Sequence, residues 1–173
     1  MTIISIKKGD KVLTPEIDPS AWISENALVI GAVKIGAETV VYQGAIIRGD
    51  FSKIKIGEKN VIQDGAIINT AEGFRVKIGN NNLIGFQALV HGATVKNNAV
   101  VGIKSVLMTG VKVYDDAMVG ANSFVGMMKK VPEGKKWIGL ELKGDNTQGK
   151  MWEIGRKSWR KMGLAMKDQD TKP

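Results

Sequence analysis

Branched aliphatic residues recur along this chain every six positions. Ile23, Val29, Ile35, Val41 and Ile47 form one register. Ile56, Ile62 and Ile68, then Ile78, Ile84 and Val90, form a second, and Val95, Val101, Leu107, Val113, Val119 and Val125 a third. The residue four places further on is small or short: Ala27, Val33, Thr39 and Ala45, and later Ala99, Ser105, Val111, Ala117 and Ser123. An amphipathic helix repeats at three and four residues and an alternating strand at two, so a strict six excludes both as the organising unit. It predicts triangular coils instead. Each hexad supplies one short strand and one turn, with the aliphatic inward and the small residue near the corner. Three hexads close a coil, and coils stack as parallel strands in register. Pairs such as Gly57-Glu58 and Gly79-Asn80 are expected to tolerate the turn backbone. The core is then a column of Val and Ile without large aromatics.

The breaks in the pattern mark what the prism does not contain. RGDFSKIK, between Ile47 and Ile56, and NTAEGFRV, between Ile68 and Ile78, are read as loops bulging from it. The hexad beginning at Val90 is one residue short, and it holds His91, the only histidine. The stretch VPEGKKWIGLELKGDN, with its Pro and Gly, reads as an exit from the repeat. From Gly149 to about Asp168, Trp152, Trp159, Met162 and Met166 fall at roughly helical spacing, with Arg156, Lys157, Arg160 and Lys161 largely on other faces. This predicts an amphipathic helix docked along the prism and standing apart from any cleft chemistry, although Gly155 and Gly163 weaken it. The expected division is a β-helix over 1–140, with an N-terminal strand segment, and a basic helix and tail over 141–173.

Composition agrees with a single β-rich domain: 173 residues, 43% hydrophobic, 6% aromatic, with Gly 21 against Pro 4. The absence of cysteine excludes disulfides and thiolate metal sites. No signal-peptide core is visible at the N-terminus, and the longest apolar run, ALVIGAV, is too short to span a bilayer. A cytoplasmic protein without a membrane span is expected. The net charge of +8 is uneven, since residues 129–173 carry 12 basic and 6 acidic side chains against 13 and 11 in residues 1–128. No nucleic-acid motif accompanies the basic tail, and no nucleic-acid partner is expected.

The segments AIIRGD, NVIQDGAIINT and IGFQALVHG, in that order, resemble the gamma-class carbonic anhydrases within the hexapeptide-repeat proteins. The resemblance covers most of residues 12–140. It implies an all-β, left-handed parallel β-helix with a C-terminal α-helix, assembled as a homotrimer. It also implies three histidines that bind zinc between subunits, at positions matching Asn69, Phe86 and His91. Two of the three are replaced, so no metal and no other cofactor is expected, with Glu72 or Asp50 the only substitutes near the motif. Arg48 and Asp50 match residues that pair around the family's interface. Gln63 and Asp64 match positions near the metal, and with Arg48 and Asp50 they read as preserving assembly.

His91 itself has three readings: a corner residue bonded to a neighbour, an acid-base group in metal-free chemistry, or a metal ligand. Phe86 is either interface filling or an apolar wall. Three functions follow. The first is a trimeric scaffold that has lost zinc and CO2 hydration, alone or mixed with an intact paralogue. The second is a metal-independent hydratase, dehydratase or thioesterase, with His91 as acid or base and Asn69, Phe86, Gln87 and Gln63 binding a small acyl or carboxylate compound at the subunit interface. The third is a hexapeptide-repeat acyltransferase.

Overall fold

The structure, a computed structural model, describes residues 1–170, without the side chains of 168 and 170. Short parallel strands stack into a three-sided solenoid, and every aliphatic of the three hexad registers is buried, most at 0–1% exposure. Val131 extends the column, and Trp137, 7% exposed, closes its end. The expectation of a core without large aromatics fails at this last coil, where no further coil exists to cover a small side chain. The supposed exit segment is also ordered. Lys135–Ile138 adds a parallel strand, and Glu141–Asp145 pairs antiparallel with it.

The corners turn through left-handed backbone at Glu38, Lys59, Asn81, Asn98 and Asp116, with φ between 52 and 56°. Gly57 does not take that conformation. A Cβ on it would lie 2.6 Å from the carbonyl oxygen of Gly79 in the next coil, so glycine here permits close stacking while Lys59 makes the turn. Beside this corner, two fully buried amides replace the small residue of the hexad. Asn82 donates to Asn60 Oδ1 from both its backbone N (2.9 Å) and its Nδ2 (3.0 Å), and its own Oδ1 accepts from Ala99 N at 2.8 Å.

The first expected loop is a strand. Ile46–Ile56 runs unbroken round a corner, with its extra residues 50–53 bulged opposite the single Ala32 of Leu28–Ile35. The second is a tight turn closed by an Ala71–Phe74 bridge.

The outward side chains form a different ladder on each face. On one, Trp22, Val40, Val61, Leu83, Val100 and Met118 lie in register and are covered by the helix Gly149–Asp170 through Trp152, Trp159, Leu164 and Met166. On the next, Leu28, Ile46, Ile67, Leu89, Val106 and Phe124 make an apolar ladder, with Ile67 40% and Phe124 44% exposed. The third carries Glu16, Lys34, Lys55, Lys77, Thr94, Lys112 and Lys130.

Two helix expectations are corrected. Met162 is 54% exposed, and Arg156 is only 5% exposed, with its Nη1 donating to the Asn98 carbonyl at 3.2 Å. At 100° per residue, Arg156 and Gly163 share the stripe of Trp152, Trp159 and Met166, whereas Met162 falls off it. Burial holds the Arg156 guanidinium below its usual pKa, with Glu153 and Asp116 opposing. Gly163 is needed: a Cβ there would meet Val40 at 2.9 Å.

Candidate functional site

Parallel register brings residues distant in sequence side by side. Arg48 pairs with Asn69, and Asn69 with His91, on three successive coils at one end of the half-exposed apolar face. His91 Nδ1 lies 2.9 Å from Asn69 Oδ1. An amide oxygen only accepts, so in this contact the Nδ1–H donates. Both side chains are half-buried.

Arg48 Nε sits 3.1 Å from Asp50 Oδ2, with the two side chains 46% and 30% exposed. At that exposure the pair adds little stability. What it does is anchor the bulge, where Asp50 Oδ1 also accepts from Phe51 N at 2.9 Å and Lys8 caps the Asp50 and Phe51 carbonyls. Glu72 is exposed in the Ala71–Phe74 turn. Among the described residues, no three His, Asp or Glu side chains of this chain converge as a metal would require.

The remaining candidates gather at the opposite end of the same face, in the turns that lead into the Ile67–Asn69 and Leu89–His91 strands. Phe86 packs edge-on against Trp159, ring centroids 5.5 Å apart. Together with buried Gln63, half-buried Trp152 and exposed Ile103, these rings line an apolar slot of about 160 Å³. Gln87 is exposed, in left-handed backbone, and its N–H donates to the Asp64 carbonyl at 3.0 Å. Within one chain, no hydrogen bond or ring contact among the described residues joins this group to His91.

The helix therefore does not stand apart from the cleft, because Trp159 forms the back of the Phe86 wall. Tyr42 was missed by sequence reasoning. It lies edge-on to both Trp22 and Trp159, and its hydroxyl donates to the Trp159 carbonyl. Burial pushes its pKa up to about 12, partly opposed by the Gly163 backbone and assisted by Asp64. Its position follows a buried hexad aliphatic and gave no separate signal.

No protein-family model matches the chain. Over 136 residues it is 34% identical to gamma carbonic anhydrase 2, mitochondrial, of Arabidopsis thaliana, which covers 75% of this chain and 49% of that protein. Over 113 residues it is 34% identical to the carnitine operon protein CaiE of Escherichia coli K12, covering 65% of this chain and 58% of CaiE. The chain thus spans about half the length of the curated relatives it matches. A hexapeptide transferase family protein from Anaplasma phagocytophilum superposes with a TM-score of 0.82 at 29% identity, over 88% of this chain and 93% of that one. The chain is thus a hexapeptide-repeat left-handed β-helix protein, homologous to the gamma carbonic anhydrases and CaiE.

Proposed function

We propose that this protein is a metal-free trimeric scaffold built on the gamma carbonic anhydrase frame. The observation that carries this is the Asn69–His91 pair, in which the single imidazole spends its Nδ1–H on a neutral amide. At the positions matching the family's three histidines, the chain offers one imidazole, one amide and the phenyl ring of Phe86, which has no donor atom. A catalytic zinc takes about three protein ligands and an open fourth position, so this set does not fit it. Without the metal, no group here brings the pKa of water near neutrality, and CO2 hydration of the family's kind is not expected.

Trimer assembly is supported by the ladder from Leu28 to Phe124. Such an apolar stripe gains by association, and turning this face toward a threefold axis would bring the Phe86 corner of one subunit toward the Asn69–His91 corner of the next.

Light scattering should give the mass of three chains. After mild chelation, zinc should lie far below one per chain and CO2 hydration at background. Asn69→His with Phe86→His should recover metal binding, and either change alone should not. Stoichiometric metal in the unmodified protein, lost in His91→Ala, overturns this reading.

A second reading, acyl transfer, is favoured by the half-buried imidazole of His91, oriented by Asn69, and by the likeness to a hexapeptide transferase family protein. Turnover of acyl-CoA donors that disappears in His91→Ala would establish it in place of the scaffold.

A further inference from the structure

We propose that the lysine-bearing face of the solenoid is a docking surface for an anionic lipid bilayer. Lys34, Lys55, Lys77, Lys112 and Lys130 stand in one register line, interrupted only by Thr94. With neighbouring strands about 4.8 Å apart, the five ammonium groups are spread over about 24 Å of one face. Like charges directly opposite on adjacent strands repel. A face needing only solubility could alternate the signs. Here, among the described residues, Lys34 alone of the five has an ion pair, with Glu16 at 3.0 Å. Lys53 and Arg75 stand one place before Ile54 and Val76, which pair in register, and add to the same field. For the other four, no ion pair among the described residues supplies a balancing charge.

Three features favour a bilayer over other polyanions. The ladder contains lysine and no arginine. Lysine is a strongly hydrated point charge on a flexible stem, suited to a diffuse field, whereas arginine's planar fork suits defined phosphate geometry. No aromatic side chain interleaves with the lysines along the ladder, as stacking of single-stranded bases would need. Exposed apolar side chains lie instead at the border. Phe74 and Met128, 37% and 64% exposed, flank a shallow cleft with Lys77 and Lys112, and Phe51, 55% exposed, lies beside Lys53 and Arg75. Cations over a plane with apolar side chains at its edge is the composition of an interfacial contact. Each cation near an anionic leaflet strengthens binding roughly fivefold. The proposal does not depend on the metal-free reading of the cleft.

The test is sedimentation of the full chain with vesicles of phosphatidylcholine, with and without phosphatidylserine. The protein should sediment with the phosphatidylserine vesicles only, and high salt should release it. Lys55→Ala, Lys77→Ala and Lys112→Ala together should weaken binding on the order of a hundredfold with a melting temperature no lower than that of the unmodified protein, and Lys77→Ala alone roughly fivefold. Lys157→Ala with Lys161→Ala, on the helix, should leave it intact. The proposal is overturned by failure to bind phosphatidylserine vesicles, by full binding of the triple variant, by equal loss in the helix variant, or by preference for single-stranded DNA or polyglutamate over the vesicles.

Discussion

Asn82 shows how much one residue carries when coils stack. Its side chain serves Asn60 on one coil and the Ala99 N–H on the next, with no exposure to water. Asn82→Ala leaves that buried N–H unpartnered and should lower stability by about 1–3 kcal/mol, read as a shift in urea midpoint at constant slope. The hexad aliphatics were readable because every coil makes the same demand at the same place. This amide pair was not, because its partners lie 22 residues apart. Tyr42 gives a second test. Its folded pKa, about 12, lies above the ordinary tyrosine value, so folding favours the neutral phenol. Its contribution is full below about pH 10 and is lost as pH rises through 12. Tyr42→Phe should flatten that part of the stability profile relative to the unmodified protein and cost about 1 kcal/mol below it, from the lost hydrogen bond to Trp159.

Among the elements, the C-terminal helix owes its position to packing against the solenoid more than to propensity. It carries two interior glycines, each costing about 1 kcal/mol relative to alanine, and Gly163 repays this by letting the backbone approach Val40. Gly163→Leu should lift the helix from the sheet, seen as increased Trp fluorescence quenching by iodide and a lower Tm. Truncation after Asn146 should uncover the ladder from Trp22 to Met118 and reduce solubility. The helix and its two docking tryptophans could be read from spacing. Arg156 could not, because charge suggested solvent while geometry put it on the buried stripe. The candidate site was readable only in halves. Resemblance singled out Asn69, Phe86 and His91, and parallel register joins the first to the third. Phe86 belongs to the opposite corner, which no spacing rule within one chain could relate to His91.

At the scale of the whole molecule, the three faces have three different surroundings: the chain's own helix, an apolar surface left half-exposed, and water over lysines. If the apolar face is the subunit contact, Ile67→Asp or Leu89→Asp should yield a particle of one chain's mass with its circular dichroism retained. A particle of unchanged mass would place the contact elsewhere. The two ends of the prism raise a separate matter. Every coil of a parallel solenoid is a template for another, so nothing in the repeat itself limits its length. Here, on one face at the C-terminal end, the Glu141–Asp145 strand reverses direction against Lys135–Ile138, whereas at the N-terminal end Thr2–Ile4 and Glu16–Ile17 still run parallel to Leu28–Ile35 and the antiparallel hairpin of Ile6–Lys8 and Lys11–Leu13 pairs only with itself. A strand of opposite polarity offers an incoming coil the wrong hydrogen-bond pattern. The reversal acts as an end-stop, and removing residues 141–145 should turn a counted stack into one able to polymerise end to end as a fibre.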